Sequence, residues 1–177
     1  HFALLFFLLI FQLSEFDYKK VEVFARTKLI EYGKLSDIIG TQIFSILGRH
    51  STVLYYPLED EDIWGFVERT ATRNFVCINT SIEYDKQVFV AAHELYHILH
   101  NKTSEELTLA KNIEEALQSQ DQINPEELAA NRFAAAFLVD AGLLRQEMLA
   151  LGIADRSIEI SDIARLANLF MVPYKTM

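Results

Sequence analysis

The stretch from Val88 to His100 constrains this chain more than any other part of its sequence. It carries the pattern H-E-x-x-H at His93, Glu94 and His97, and it contains no Gly or Pro. Ala, Leu and Glu favour a helix here, and residues four apart lie one turn apart on the same helix face. Both imidazoles can therefore reach one cation, and two imidazoles plus a carboxylate are a donor set that suits zinc.

Glu94 follows the first histidine and can point beside a metal rather than at it. A carboxylate in that position can take a proton from a zinc-activated water, as in metallopeptidases. The alternative is an amphipathic core helix in which the two histidines are merely tolerated. Buried imidazoles need polar partners, however, and a metal would supply them. The apolar residues that predict this burial are Val88, Phe89, Ala92, Leu95, Ile98 and Leu99.

The composition indicates a folded domain in a reducing compartment. With 177 residues and 51% hydrophobic content, the chain is large enough for one core and is not disordered. The net charge of −9 does not indicate a nucleic-acid-binding protein, so no direct nucleic-acid partner is expected. Cys77 is the only cysteine, which excludes an internal disulfide, favours the cytoplasm and leaves it as a small buried hydrophobe.

The N-terminal segment, residues 1–16, is apolar from Phe2 to Leu13 except at Gln12. The run is shorter than the roughly 17–25 residues of a membrane-spanning helix. It lacks the basic start and the small-residue cleavage site of a secretory signal. We expect it to be buried against the domain or a partner chain, and membrane contact through Phe2–Leu13 is the less favoured alternative.

Hydrophobic periodicity predicts one α+β domain over residues 17–177. Residues 101–124 are the most polar part of the chain and are interpreted as a solvated, partly helical excursion. Strand Phe75–Asn79 directly precedes the motif helix and is the candidate edge for an extended substrate. The other expected elements are helices at 17–32, 36–48, 126–139, 140–151 and 157–170, strands at Thr52–Tyr56 and Ile63–Arg69, and the motif helix from about Lys86.

The third metal ligand is sought in the helix that Pro125 opens. Asn124 and Glu127 have the spacing of a capping box, in which Glu127 would turn back to the N-cap amide and bind no metal. Glu127 and Asn131, however, lie one turn apart on an otherwise apolar helix, where two polar side chains need a shared partner. We predict Glu127 as the ligand and Asn131 as the acceptor of a ring N–H from a ligating histidine. The remaining alternatives for the ligand are Glu114, Glu115 and Glu126.

Two stretches resemble the ImmA/IrrE family of zinc metallopeptidases. Ala92–His100 is similar to the family pattern A-H-E-L-G-H-x-L-x-H, and Ala130–Ala135 is similar to A-N-x-F-A-A. The resemblance implies a zincin-like α+β fold, with a small antiparallel sheet packed on a mostly helical body, and Zn²⁺ as the cofactor. It also puts the family's ligand four residues before Asn131, at Glu127. The departures from the family pattern are Tyr96, Ala129 and Asp140.

The resemblance also implies a function. The better understood members of the family cleave, or promote cleavage of, repressors that control mobile elements or stress genes. We therefore expect a zinc endopeptidase, with Glu94 as its base, that acts on a helix-turn-helix repressor. The alternative is a non-enzymatic metal-binding or partner-binding regulator, although a closed structural zinc site has no use for Glu94. Residues 157–177 resemble part of the helix-turn-helix-like end found in family members.

The sequence does not identify the residues that contact the substrate. A second donor to the oxyanion is expected, and the sequence does not choose among Tyr84, Tyr96, His100 and Arg132. His100 follows the second metal-site histidine by three residues, and we favour a role at the helix C-terminus for it. The substrate-binding residues, the activating signal and the oligomeric state are not predicted.

Overall fold

A computed structural model describes residues 18–70, 72–100, 107–111, 125–153 and 157–177 of the chain. The predicted apolar segment at 1–16 lies outside these residues, as do Glu114, Glu115 and most of the predicted polar excursion. Of the helices in the described ranges, none is both long and apolar enough to cross a bilayer.

The described elements form a sheet with helices before and after it in the chain, which confirms the α+β class. The three predicted strands and the first helix match their predicted ranges within one residue. The elements in chain order are α1 (18–31), α2 (Gln42–Leu47), β1 (Thr52–Tyr56), β2 (Ile63–Arg69), β3 (Asn74–Asn79), α3 (Tyr84–His100), β4 (Leu107–Lys111), α4 (Pro125–Leu138), α5 (Ala141–Ala150), α6 (Ile160–Phe170) and a 3₁₀ turn (Tyr174–Thr176).

The sheet has the strand order β1-β3-β2-β4. β2 is antiparallel to both β3 and β4, whereas β1 runs parallel to β3, with Val53 opposite Val76. The sheet is therefore mixed, and the antiparallel arrangement that was predicted holds for three of its strands. The loop at 57–62 connects β1 to β2 across a gap that is one strand wide, and β3 occupies that gap. Asn79 fixes this loop by accepting from the Leu58 N–H at 3.0 Å and donating to the Ile63 carbonyl at 2.8 Å.

Two predictions about the sheet are wrong. β3 lies between β1 and β2, so it is not an edge that could accept a substrate strand. Its unbroken buried run, Val76–Asn79, is the pattern of a central strand. Leu107–Lys111 was placed in a solvated excursion but forms β4, because it pairs with β2, where Leu107 lies opposite Glu68. Pairing with a formed sheet outweighs the polarity of the surrounding sequence.

The helices match the prediction except for α2, which is much shorter. It was predicted from Ser36 but begins at Gln42. Gly40 has φ +43°, in the left-handed region, so a helix cannot pass through it. Asp140, where the sequence departs from the family pattern, is the N-cap of α5 and accepts from the Gly142 and Leu143 N–H groups at 2.9 and 3.1 Å.

Gly65 allows α3 to pack directly on the sheet. A Cβ atom at this position would lie 2.8 Å from the carbonyl oxygen of Cys77 and 3.1 Å from Cγ2 of Val90. The close approach buries α3 continuously from Val88 to Ile98. Glu94 lies one turn after Val90 and therefore on the side of α3 that faces the sheet.

α4 covers another side of α3. Its buried face includes the small residues Ala130 and Ala134 on either side of Phe133. Small side chains let two helices approach closely, and α3 and α4 are in extensive contact. This packing brings the first turns of α4, with Glu127 and Asn131, next to the histidines of α3.

Candidate metal centre

The side chains of His93, His97 and Glu127 meet at one point between α3 and α4. One ligand atom from each lies within 4.8 Å of the other two. The two histidine Nε2 atoms are 3.1 Å apart, and Glu127 places Oε2 3.1 Å from Nε2 of His93 and Oε1 3.3 Å from Nε2 of His97. Both histidines are buried. The structure thus brings together the three predicted ligands.

The second nitrogen of each imidazole has its own partner on α4. Nδ1 of His93 donates to Oδ1 of Asn131 at 2.7 Å, and Nδ1 of His97 lies 3.3 Å from Oε1 of Glu126. An amide oxygen and a carboxylate can only accept, so each Nδ1 carries the proton and each Nε2 presents a lone pair. Asn131 is therefore where it was expected, and Glu126, an alternative ligand in the sequence, lies behind His97.

This donor set fits a divalent cation. Two lone-pair nitrogens and two carboxylate oxygens face one another, and such an arrangement of acceptors is unfavourable without a positive charge among them. Burial raises the pKa of Glu127, whereas hydrogen bonds and positive charge from the ring nitrogens of His93 and His97 lower it, to about 2. A metal cation at the same point would stabilise the ionised carboxylate in place of those ring protons. Two imidazoles and a carboxylate are a set that zinc commonly takes.

Glu94 differs from the other polar groups of the site. It is fully buried, and neither carboxylate oxygen has a hydrogen-bond partner among the described residues. Burial raises its pKa to about 8; the charge of Glu127 also raises it, whereas His93 and Arg69 lower it. A buried carboxylate without partners is costly and is found mostly where chemistry requires it.

Arg69 is a buried residue near the site that the sequence interpretation missed. It ends β2, and its Nη1 donates to the carbonyl oxygen of His97 at 2.8 Å. The signal was present, because Gly65, Val67 and Arg69 occupy alternate positions of β2 and share its buried side. A charged residue that continues the apolar face of a strand deserved a functional interpretation.

The four predicted oxyanion donors lie in different surroundings. Tyr84 is exposed at the start of α3. Tyr96 is buried, and its ring stacks on His100 with centroids 4.9 Å apart. Arg132 donates from Nε to Oε1 of Glu22 at 2.8 Å. The described hydrogen bonds link none of the four to the metal-site histidines, so the second donor stays unassigned.

Comparisons with known proteins bear on the family and the fold of this chain. The family model for the IrrE N-terminal-like domain, peptidase family M78, matches residues 50–177 and so includes the whole candidate centre. A solved structure described as a Mycobacterium tuberculosis transcriptional regulator has a similar fold, with a TM-score of 0.58 and 13% identity. The similarity covers 93% of this chain and 48% of that one, so this chain spans about half of its length. No curated protein matches the sequence.

The family match spans most of the chain, and it contains both stretches that carried the resemblance noted in the sequence. That resemblance and the zincin-like fold class are therefore confirmed. The chain belongs to the IrrE N-terminal-like peptidase family, M78.

Proposed function

We propose that this protein is a zinc-dependent endopeptidase. The observation that carries the proposal is the convergence of His93, His97 and Glu127 beside the buried, unpartnered carboxylate of Glu94. A site that only held a structural metal would have four protein ligands and no need for this second carboxylate.

Each residue then has a role that its contacts support. His93, His97 and Glu127 hold the metal, and Asn131 and Glu126 keep the two imidazoles turned with Nε2 inward. Zinc in such a site supplies Lewis acidity, which polarises a peptide carbonyl and acidifies water. Oε of Glu94 accepts the proton of the attacking water and returns it to the leaving amine. Burial raises the pKa of Glu94 to about 8 in the metal-free protein, and a cation held by the neighbouring ligands would lower it, which leaves the carboxylate able to accept a proton.

An extended substrate needs a free strand edge near the centre. β3 is ruled out, and the edges of the described sheet are β1 and β4. β4 contacts the metal-binding helix α3 and pairs with β2, whose last residue, Arg69, contacts His97. We therefore assign the substrate to the backbone of β4, where it would add as a further strand.

The substrate we propose is a DNA-binding repressor of a mobile element or stress regulon, cleaved in the cytoplasm. The support is the family itself and the likeness of the fold to a protein described as a transcriptional regulator. Both are arguments by association. Cys77, a free and buried thiol, is consistent with a reducing compartment.

The test is incubation of the zinc-loaded protein with the repressor encoded beside its gene. Wild-type protein should produce two discrete fragments, and a chelator should prevent this. Glu94→Gln should keep the zinc content but lose roughly 100- to 10,000-fold in cleavage rate, because an amide cannot accept the proton. Glu61→Gln is the matched control, since this exposed residue of the loop at 57–62 undergoes the same substitution and should change neither quantity.

Two outcomes would contradict the proposal. Cleavage by Glu94→Gln at the wild-type rate would exclude Glu94 as the base. An intact repressor that nevertheless binds the zinc-loaded protein would favour the non-enzymatic alternative, a metal-binding regulatory domain.

A further inference from the structure

A second polar region lies away from the metal centre, where β1 begins and where the hairpin joins β2 to β3. It is a cavity of about 490 Å³. Its described lining residues comprise two arginines, one histidine, four hydroxyl residues, one asparagine and one glycine, and no acidic residue. The chain has 25 acidic and 16 basic residues, so a concave surface with only cationic and neutral groups departs from its average.

The two arginines of the cavity, Arg49 and Arg73, keep their full charge. Both are exposed, and within the described part of the chain neither side chain has an ion pair or hydrogen bond. Two other arginines are neutralised, because Arg26 pairs with Asp140 and Arg132 pairs with Glu22. Two guanidinium groups on one concave surface create a positive potential that favours an anion.

The walls of the cavity are held by their own hydrogen bonds. In the hairpin, the Thr70 N–H donates to the Arg73 carbonyl at 2.9 Å, and the Arg73 N–H donates to Thr70 Oγ1 at 3.1 Å. Across the cavity, Nδ2 of Asn74 donates to the carbonyl of His50 at 3.2 Å. The bond from Asn74 joins the hairpin to the chain before β1, so the backbone walls of the cavity are held in place before a ligand arrives.

His50 also lines the cavity and lies close to Arg49. Its Nε2 lies 2.8 Å from the hydroxyl of Tyr32. Burial lowers the pKa of His50, and the positive charges of Lys28 and Arg49 lower it further. Lys28 is paired with Glu31, so Arg49 is the cation beside this ring that is unpaired among the described residues.

We propose that this cavity binds a phosphate group, either free or carried by a small polar molecule. Arg49 and Arg73 would contact the phosphate oxygens, since the planar guanidinium matches two of them at once. The volume lies in the usual range for small ligands, roughly 300–1,000 Å³, and the net charge of −9 disfavours a nucleic acid. Without aromatic or aliphatic side chains in the described lining, the site suits a hydroxyl-rich molecule such as a sugar phosphate. This site does not depend on the proposed peptidase activity.

The experiment is a two-dimensional NMR titration of the full chain with ribose 5-phosphate, inorganic phosphate and ribose. Both phosphate-containing probes should shift the amide resonances of residues 48–52 and 72–74 in a saturable way, and ribose should not. The ratio of the two affinities identifies the source: tighter binding of ribose 5-phosphate indicates an organic phosphate, and equal binding indicates free phosphate.

Arg49→Gln and Arg73→Gln should each weaken ribose 5-phosphate binding about tenfold or more, since each removes charged hydrogen bonds to the ligand. Arg145→Gln and Arg165→Gln remove the same charge from exposed positions on α5 and α6 and should leave the affinity unchanged. The proposal is overturned if ribose binds as tightly as its phosphate, if all four variants weaken binding equally, or if no saturable shift occurs. Unchanged spectra elsewhere would establish that the variants are folded.

Discussion

Helix α3 carries buried polar side chains on two sides, and the surroundings of the two sides differ. Towards α4, every ring nitrogen of His93 and His97 has a neighbour: Asn131, Glu126, Glu127 or the other histidine. Towards the sheet, Glu94 has no hydrogen-bond partner among the described residues, and His93, Glu127 and Arg69 act on it through their charges alone.

The difference separates two uses of a buried polar group. A ligand set must be held in one geometry, so its second nitrogens are fixed by Asn131 and Glu126. A proton acceptor must keep its oxygens available, so Glu94 is left without hydrogen bonds at the expense of stability. The four predictions below test whether the two sides of α3 are separable in this way, from the largest expected effect to the smallest.

Removing a ligand from the α4-facing side should have the largest effect. His93→Ala should weaken zinc binding more than about a hundredfold, beyond what loss of a supporting partner causes. Metal content and competition with a chromophoric chelator measure this. His100→Ala, at the exposed end of the same helix, should bind zinc like the wild type. Equal zinc affinity in the two variants would contradict the assignment of the α4-facing side of α3 to metal binding.

Removing a supporting partner on the same side should have an intermediate effect. Asn131→Ala takes away the acceptor of the His93 Nδ1 proton, and zinc affinity should fall roughly 10- to 100-fold. The same chelator competition measures the change, and Asn168→Ala, at an exposed position on α6, is a matched control. An unchanged affinity in Asn131→Ala would mean that the helix packing alone orients the imidazole.

The sheet-facing side depends on close packing. Gly65→Ala places a methyl group against the Cys77 carbonyl and Val90, and should lower the free energy of unfolding by about 1–3 kcal/mol. Urea denaturation measures this loss. Gly48→Ala is the control, because Gly48 is exposed with φ −63° and should change stability by no more than about 0.5 kcal/mol. Equal losses would show that α3 can move away from β2 at little cost.

The smallest effect, counted per pH unit, is a pH dependence of stability due to Glu94. Burial raises its pKa in the folded, metal-free protein to about 8 from its ordinary value of 4.5. Between these two pH values Glu94 holds a proton in the folded state that it has released in the unfolded state. The contribution of Glu94 to the free energy of unfolding is therefore fully present below pH 4.5 and falls as the pH rises towards about 8. The slope should not exceed about 1.4 kcal/mol per pH unit. Glu94→Gln should remove this component from denaturation curves of the metal-free protein, and identical slopes would contradict it.

The candidate centre was largely predictable because its signals are local. His93 and His97 are one turn apart on one helix, and Glu127 and Asn131 are one turn apart on another, apolar helix. Helix periodicity therefore relates the two members of each pair. The position of Glu126 was not predictable, because it depends on how α4 is rotated against α3. A neighbouring residue on the same helix turn can be a ligand or a support, and only tertiary packing decides.

The sheet was less predictable, since strand order depends on pairing between distant segments. The β-branched and aromatic composition of β1, β2 and β3 was sufficient to locate them. The sequence of Phe75–Asn79 does not indicate which strands lie on either side of it. The five residues of β4 are too few to be recognised as a strand within a polar stretch. Arg69 was missed for a related reason, because its role depends on which side of β2 faces α3.

Among the described residues no strand pairs with the outer edge of β1, and this has a consequence for how copies of this protein behave at high concentration. Leu54 and Tyr56 on this strand are 51% and 62% exposed, and an unpaired edge with such residues is a template for aggregation. The chain continues into Pro57, which has no N–H to offer, and then into the four exposed carboxylates of Glu59–Asp62. A proline and a block of like charge are devices that keep sheet edges apart. The residues that follow β1 thus oppose pairing of this strand edge between copies of the protein.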